Sequence, residues 1–227
     1  MNPDELKNEN GLRDAIFLKL KTIYGENARR YTPLIDVANK LKGANILFKE
    51  ALKFNNIRMS DFLVELLFVS LFCEDGYSVE IISRSDREKT PDLLISKNNF
   101  RGFVEIKHIH KKHDGPEVID LNESPEMDDI LVPYGNHARD EKYCRDKILE
   151  GFQQIQQFPQ LIETDTMIVA IWNSDEDLDE RDMKFSITHL IEEKDEFAKM
   201  PNQKWIIYGS DWYSPRANTK FFIFRFL

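Results

Sequence analysis

The spacing of apolar residues changes once along this chain, after Gly76, and that change restricts the folds open to it. Before Gly76 the apolar positions keep a helical period; after it, short runs alternate or run continuously as strands do. Residues 6–24 carry Leu12, Ile16, Leu18 and Leu20 near helical spacing, with Gly25 as a stop. Thr32 caps a second helix with Pro33 at its first position; Leu34, Val37 and Leu41 continue it, and the run extends through Ile46 to about Phe54. Ser60 caps a third helix, SDFLVELLFVSLFCEDG, that ends at Gly76.

Strands are expected at 77–82, 91–96 and 101–110, the last two joined by a tight turn at Asn98-Asn99, since asparagine tolerates left-handed geometry. A polar stretch over 111–138 holds Pro116, Pro125 and Pro133 and reads as a long acidic insertion loop. A helix at 139–158, a strand at 167–172, a helix at 187–197 and strands at 205–208 and 221–226 complete the order. This is an α/β layered architecture: a mixed β-sheet flanked by helices, with residues 1–57 as an N-terminal helical subdomain and 58–227 as the main domain.

Length and composition fit that reading. A chain of 227 residues suits one ordinary domain with a helical appendage, and 41% hydrophobic with 31% charged residues is a globular balance. The longest apolar run, 62–73, is interrupted by Glu65 and is too short to span a bilayer, so no membrane is expected. The first residues lack the basic and apolar regions of a secretory signal, and Cys73 and Cys144 build no disulfide framework; a cytoplasmic protein is expected. The net charge of −9 opposes bulk coating of nucleic acid but leaves room for local engagement where a bound cation inverts the charge.

The hairpin PDLLISKNNFRGFVEIK concentrates the chemistry. If Asn98 and Asn99 are the whole loop, Asp92 falls opposite Glu105 on one face, with β-carbons roughly 5 Å apart. Lys107, two positions on, shares that face, while Leu93, Ile95, Val104 and Ile106 face the other way. A loop one residue longer or shorter would break the pairing. Two carboxylates that close repel by roughly 3 kcal/mol at an effective dielectric near 20. A shared proton would offset this, and so would a divalent cation; oxygen ligands without sulfur suit Mg²⁺ or Mn²⁺. Glu65, set among Phe62, Phe68 and Val69 on the third helix, needs a metal or a basic partner for the same reason.

Glu65 on a helix, Pro91-Asp92 opening an apolar strand, and Glu105-Ile106-Lys107 closing the next resemble the PD-(D/E)XK nuclease superfamily, the restriction-endonuclease-like fold. The resemblance covers roughly residues 58–173 and implies a Mg²⁺-dependent endonuclease, with Mn²⁺ as the substitute, that hydrolyses phosphodiester bonds of DNA or, as the other polymer left open, RNA. It implies Asp92, Glu105, Glu65 and the Ile106 backbone carbonyl as metal ligands and Lys107 acting on the attacking water. It also implies a polar residue on the following helix, for which Lys147 and Gln154 are the matches, with Gln153 close behind. The insertion at 111–138 departs from common members. Cutting both strands together would call for a homodimer. The rival reading is a catalytically inactive nuclease-fold protein used for binding or assembly; a third is an unrelated α/β enzyme using Asp92 and Glu105 as an acid–base pair without metal.

Several other features are weaker. His108, His110 and His113 have partial zinc-ligand spacing but no further ligands, and read as a solvated basic segment that, with Lys111 and Lys112, touches phosphates; Arg139, Lys142 and Arg145 are placed to do likewise. Asp175, Asp177 and Asp179 imitate a calcium loop, but Glu180 and Ser186 occupy positions that need glycine and glutamate. Trp205, Tyr208, Trp212 and Tyr213, beside Arg216, read mainly as core-packing aromatics rather than base-stacking ones.

Overall fold

The computed structural model describes residues 9–83, 90–109, 137–174, 180–192, 200–210 and 222–226. Most of the insertion loop, with His110, Lys111, Lys112 and His113, lies outside them, as do Asp175, Asp177, Asp179, Trp212, Tyr213 and Arg216.

Four α-helices come first: α1 (Glu9–Tyr24), α2 (Thr32–Ala38), α3 (Ala44–Ala51) and α4 (Asn56–Glu74). A 3₁₀ segment, Gly25–Tyr31, links α1 to α2 and passes its carbonyls directly to the next helix: Thr32 N–H donates to Arg29 O. Thr32 is therefore the first residue of α2 and supplies no side-chain cap, in contrast to the expectation. The second helix also does not run on to Phe54. It ends at Ala38, and α3 begins only after Gly43, where φ is +91° and a β-carbon would lie 2.1 Å from the Ile81 carbonyl oxygen. The break docks this turn on the sheet, with Ile81 N–H donating to Lys42 O at 2.9 Å. Ser60 is likewise inside α4; Asn55 is the cap, its side-chain oxygen accepting from Arg58 N–H at 3.0 Å.

The strands are β1 (Ser78–Ile81), β2 (Leu93–Lys97), β3 (Phe100–Ile109), β4 (Thr166–Asn173), β5 (Gln203–Ser210) and β6 (Phe222–Phe226). They form one six-stranded sheet in chain order. The first three strands are an antiparallel meander, β3, β4 and β5 run parallel, and β6 returns antiparallel. Helix α5 (His137–Gln156) makes the crossover between β3 and β4, as parallel neighbours require, and α6 (Glu180–Glu192) lies between β4 and β5. Helix α6 starts seven residues earlier than its apolar period indicates, and 193–199 fall outside the described residues.

All eight residues of β4 are buried, as befits a central parallel strand covered on both faces. On one face Ile168, Ala170 and Trp172 join Leu93, Ile95 and Val104 against α1–α4, so the helices of the first 57 residues share a core with α4 and the sheet. On the other face Met167, Val169 and Ile171 join Phe103 and Ile109 against α5 and α6. Among the described residues no helix is long and apolar enough to cross a membrane.

Candidate active site at the end of the hairpin

The tight turn forms as its sequence predicts. Lys97 pairs with Phe100 across Asn98-Asn99, and the ladder continues in that register to Leu93 opposite Val104. Asn98 takes φ +55°, the left-handed geometry its side chain tolerates. The alternation then puts Val104 in the core beneath α1–α4 and Glu105 on the α5 side.

At the next step the regular pairing ends. Asp92 does not simply stand opposite Glu105: its N–H donates to Val104 O at 2.9 Å, and its Oδ2 accepts from Ile106 N–H at 2.8 Å. The carboxylate thus takes a backbone donor that a continued ladder would have used, which holds it against the β3 backbone one residue past Glu105. Its own carbonyl accepts from Ile82 N–H, tying the β1 side to the same point.

Glu105 is only 4% exposed. Its Oε1 accepts from Lys107 Nζ at 2.9 Å and its Oε2 from Gln154 Nε2 at 2.7 Å. Gln154 also donates to Thr90 O at 2.9 Å, so one amide joins α5, β3 and the residues leading into β2. Gly151 makes this approach possible. A β-carbon there would come within 2.8 Å of Val169 Cγ2 and 3.6 Å of Glu105 Cγ, so glycine lets α5 lie close over the carboxylate.

Glu65 reaches the site from the other helical layer. It is buried on α4 and lines a small cavity with Asp92, Glu50, Ile46, Leu47, Ile81 and Ile82. The hairpin end therefore carries Glu105 bonded to Lys107 on the α5 side, and Asp92 held at the Ile106 N–H and lining a cavity with Glu65 and Glu50. Glu50 was missed in the sequence because a continuous helix to Phe54 gave it no special place; the break at Gly43 turns α3 so that its last turn faces Asp92. Thr90 and Gly151 were missed too, one acting through its backbone and the other through its lack of a side chain.

The remaining expected residues are dispersed. Lys147 Nζ bonds Glu150 at 3.1 Å on the surface of α5 and lies over the Tyr143 ring. Gln153 is half-buried beside Gln154, but it is Gln154 that meets Glu105. His108 corrects the picture of a solvated basic run. Its side chain is 6% exposed and faces away from Glu105, held between Asp61 on α4 and Ser174 after β4. Trp205 and Tyr208 do pack: Trp205 stacks on Phe100 at 4.8 Å, and Tyr208 is buried with its hydroxyl accepting from Asn173 at 3.2 Å.

Among the described residues no three His, Cys, Asp or Glu side chains lie close enough to form a metal cage by themselves. The donor set is nevertheless of the kind a hard cation accepts: two carboxylates at the hairpin end and a backbone carbonyl between Glu105 and Lys107. The acids outnumber the lysine, and an added cation would relieve that excess. No family model matches the chain, and no curated protein or solved structure does.

Proposed function

We propose that this protein is a divalent-cation-dependent nuclease of the PD-(D/E)XK kind, acting on DNA in the cytoplasm. The observation that supports the reading is that Asp92 is held at the Ile106 N–H, between Glu105 and Lys107 in the chain, and that Lys107 bonds Glu105, at one end of the β2–β3 hairpin in a mixed sheet flanked by helices. Asp92, Glu105 and the Ile106 carbonyl would hold Mg²⁺, with Glu65 supporting the acidic end from α4. When bound, the ion supplies Lewis-acid stabilisation of phosphate charge and a more acidic water.

The chain's own groups do the rest. Lys107 carries an ammonium within 2.9 Å of Glu105, where it orients a water by hydrogen bonding and offers positive charge to an incoming phosphate. Gln154 fixes the Glu105 carboxylate through its second oxygen, which limits its rotation. The Ile106 N–H does the same for Asp92. Preorganised groups of this sort lower the cost of aligning the attacking water with the scissile bond.

The test is incubation of the purified protein with circular and linear DNA in Mg²⁺, Mn²⁺ or EDTA. Cation-dependent nicking that disappears in Asp92→Ala and Lys107→Ala proteins is expected; nicking unchanged in both would remove the assignment.

A further inference from the structure

On the opposite face of β3 from Glu105 and Lys107, Asp61, His108 and Ser174 are arranged in series, and nothing in the proposed nuclease chemistry uses them. His108 Nδ1 lies 3.0 Å from Asp61 Oδ1, and its Nε2 lies 2.9 Å from Ser174 Oγ. A neighbouring carboxylate selects the tautomer with hydrogen on Nδ1, which leaves Nε2 to accept from the serine hydroxyl. This is the order of groups that activates a serine: nucleophile, base, and an acid that orients the base.

The serine and histidine open on a cavity, whereas the aspartate stands behind. Ser174 and His108 line a space of about 270 Å³, walled by Leu34, Leu63, Leu67 and Trp172. That is just under the roughly 300 Å³ at which pockets for drug-sized ligands begin, so the space suits a small apolar group. Tyr24, Tyr31 and Ser60 complete the wall with hydroxyl groups. Burial, with Tyr31 beside it, raises the Tyr24 phenol above its ordinary value and so keeps it a donor.

We propose that this cavity is a second active site, a serine esterase centre for carboxylic esters with a small apolar acyl group. Ser174 Oγ bonds to the acyl carbon while its proton passes to His108 Nε2. The bond from that carbon to the leaving oxygen then breaks, and the alcohol departs with the proton from His108. Water repeats the sequence on the Ser174 acyl ester, releasing the acid and restoring the serine. Asp61 holds the imidazole in register throughout. The inference does not depend on the nuclease reading.

The test is to treat the full-length protein with a fluorophosphonate probe, map the adduct by mass spectrometry, and follow hydrolysis of p-nitrophenyl butyrate. One adduct on Ser174 is expected, absent in Ser174→Ala, with labelling and turnover at least about 100-fold slower in His108→Gln and at least about 10-fold slower in Asp61→Asn. No adduct on Ser174, an adduct that forms as fast in His108→Gln as in the wild type, or hydrolysis unchanged in Ser174→Ala would overturn it. Should His108→Gln fail to fold, Asp61→Asn decides, since Asp61 is 38% exposed and its loss leaves the core intact; an unchanged labelling rate there also overturns the proposal.

Discussion

Asp165 and Glu105 are both buried carboxylates of one strand pair, yet the chain surrounds them differently. Asp165, 1% exposed, lies just before β4; its Oδ2 accepts from Arg101 at 2.7 Å and from Ile162 N–H at 2.9 Å. It is a closed unit in which one acid meets one guanidinium and one backbone donor, and it fastens β3 to the turn before β4. Glu105 accepts from a lysine and an amide, and one residue further along β3 the backbone holds a second acid, Asp92, which lines a cavity together with Glu65 and Glu50. A buried acid with a matched cation is a structural fastening. A buried acid among other acids invites a cation from outside, and that is where chemistry is to be sought.

Substitutions should separate the two. Lys107→Ala or Asp92→Asn is expected to lower DNA cleavage at least about 1,000-fold in gel assays while leaving the urea midpoint nearly unchanged, because preorganised charge at a reacting centre is worth several kcal/mol. Arg101→Ala should do the reverse. It strands Asp165 and costs about 2–3 kcal/mol of stability by urea denaturation, the low end for a buried pair because the Arg101 side chain is 35% exposed, while the folded fraction keeps its cleavage rate.

Two glycines carry the same contrast at smaller amplitude. Gly43→Ala meets the Ile81 carbonyl and an unfavourable positive φ, so a loss of about 2–3 kcal/mol is expected in the same denaturation assay, with specific activity retained. Gly151→Ala meets the movable methyls of Val169 instead. It should cost about 1 kcal/mol and yet lower cleavage about 10-fold, because α5 must back away and carry Gln154 off Glu105. Equal effects of the two glycine substitutions on activity would erase the distinction between fastening and site. Smallest of all, Asn98→Gly should change stability by less than about 1 kcal/mol, since glycine accepts the left-handed turn as readily.

Much of this arrangement was legible in the sequence, for reasons that can be named. The Asn98-Asn99 pair fits a two-residue loop, and the alternation of apolar residues on either side admits a single register, so the Leu93–Val104 rung follows from the letters. The proximity of Lys107 to Glu105 follows from the strand period, and that of Gln154 was marked only by the family resemblance. What stayed hidden depends on backbone geometry that hydrophobic period does not encode. The turn over 39–43, closed by the positive φ of Gly43, separates α2 from α3, whose Glu50 lines the cavity; Asp92 left the ladder because its own carboxylate could take the Ile106 N–H. His108 sits in KHIHKKH, a run whose charge reads as solvent-facing, but its strand position turns it inward to Asp61, 47 residues earlier, and to Ser174, 66 residues later. Lys147 shares its helix stripe with Gln154 but pairs with Glu150, so spacing alone overstated its role.

The central claim is that the acids at the hairpin end hold a divalent cation. Calorimetric titration of the purified protein with Mn²⁺ tests it without reference to any substrate. Saturable binding that disappears in Asp92→Asn, with that variant still folded by circular dichroism, is the predicted result. Absence of binding, or binding of equal affinity in wild type and Asp92→Asn, would contradict it and leave the cluster as a structural feature of the fold.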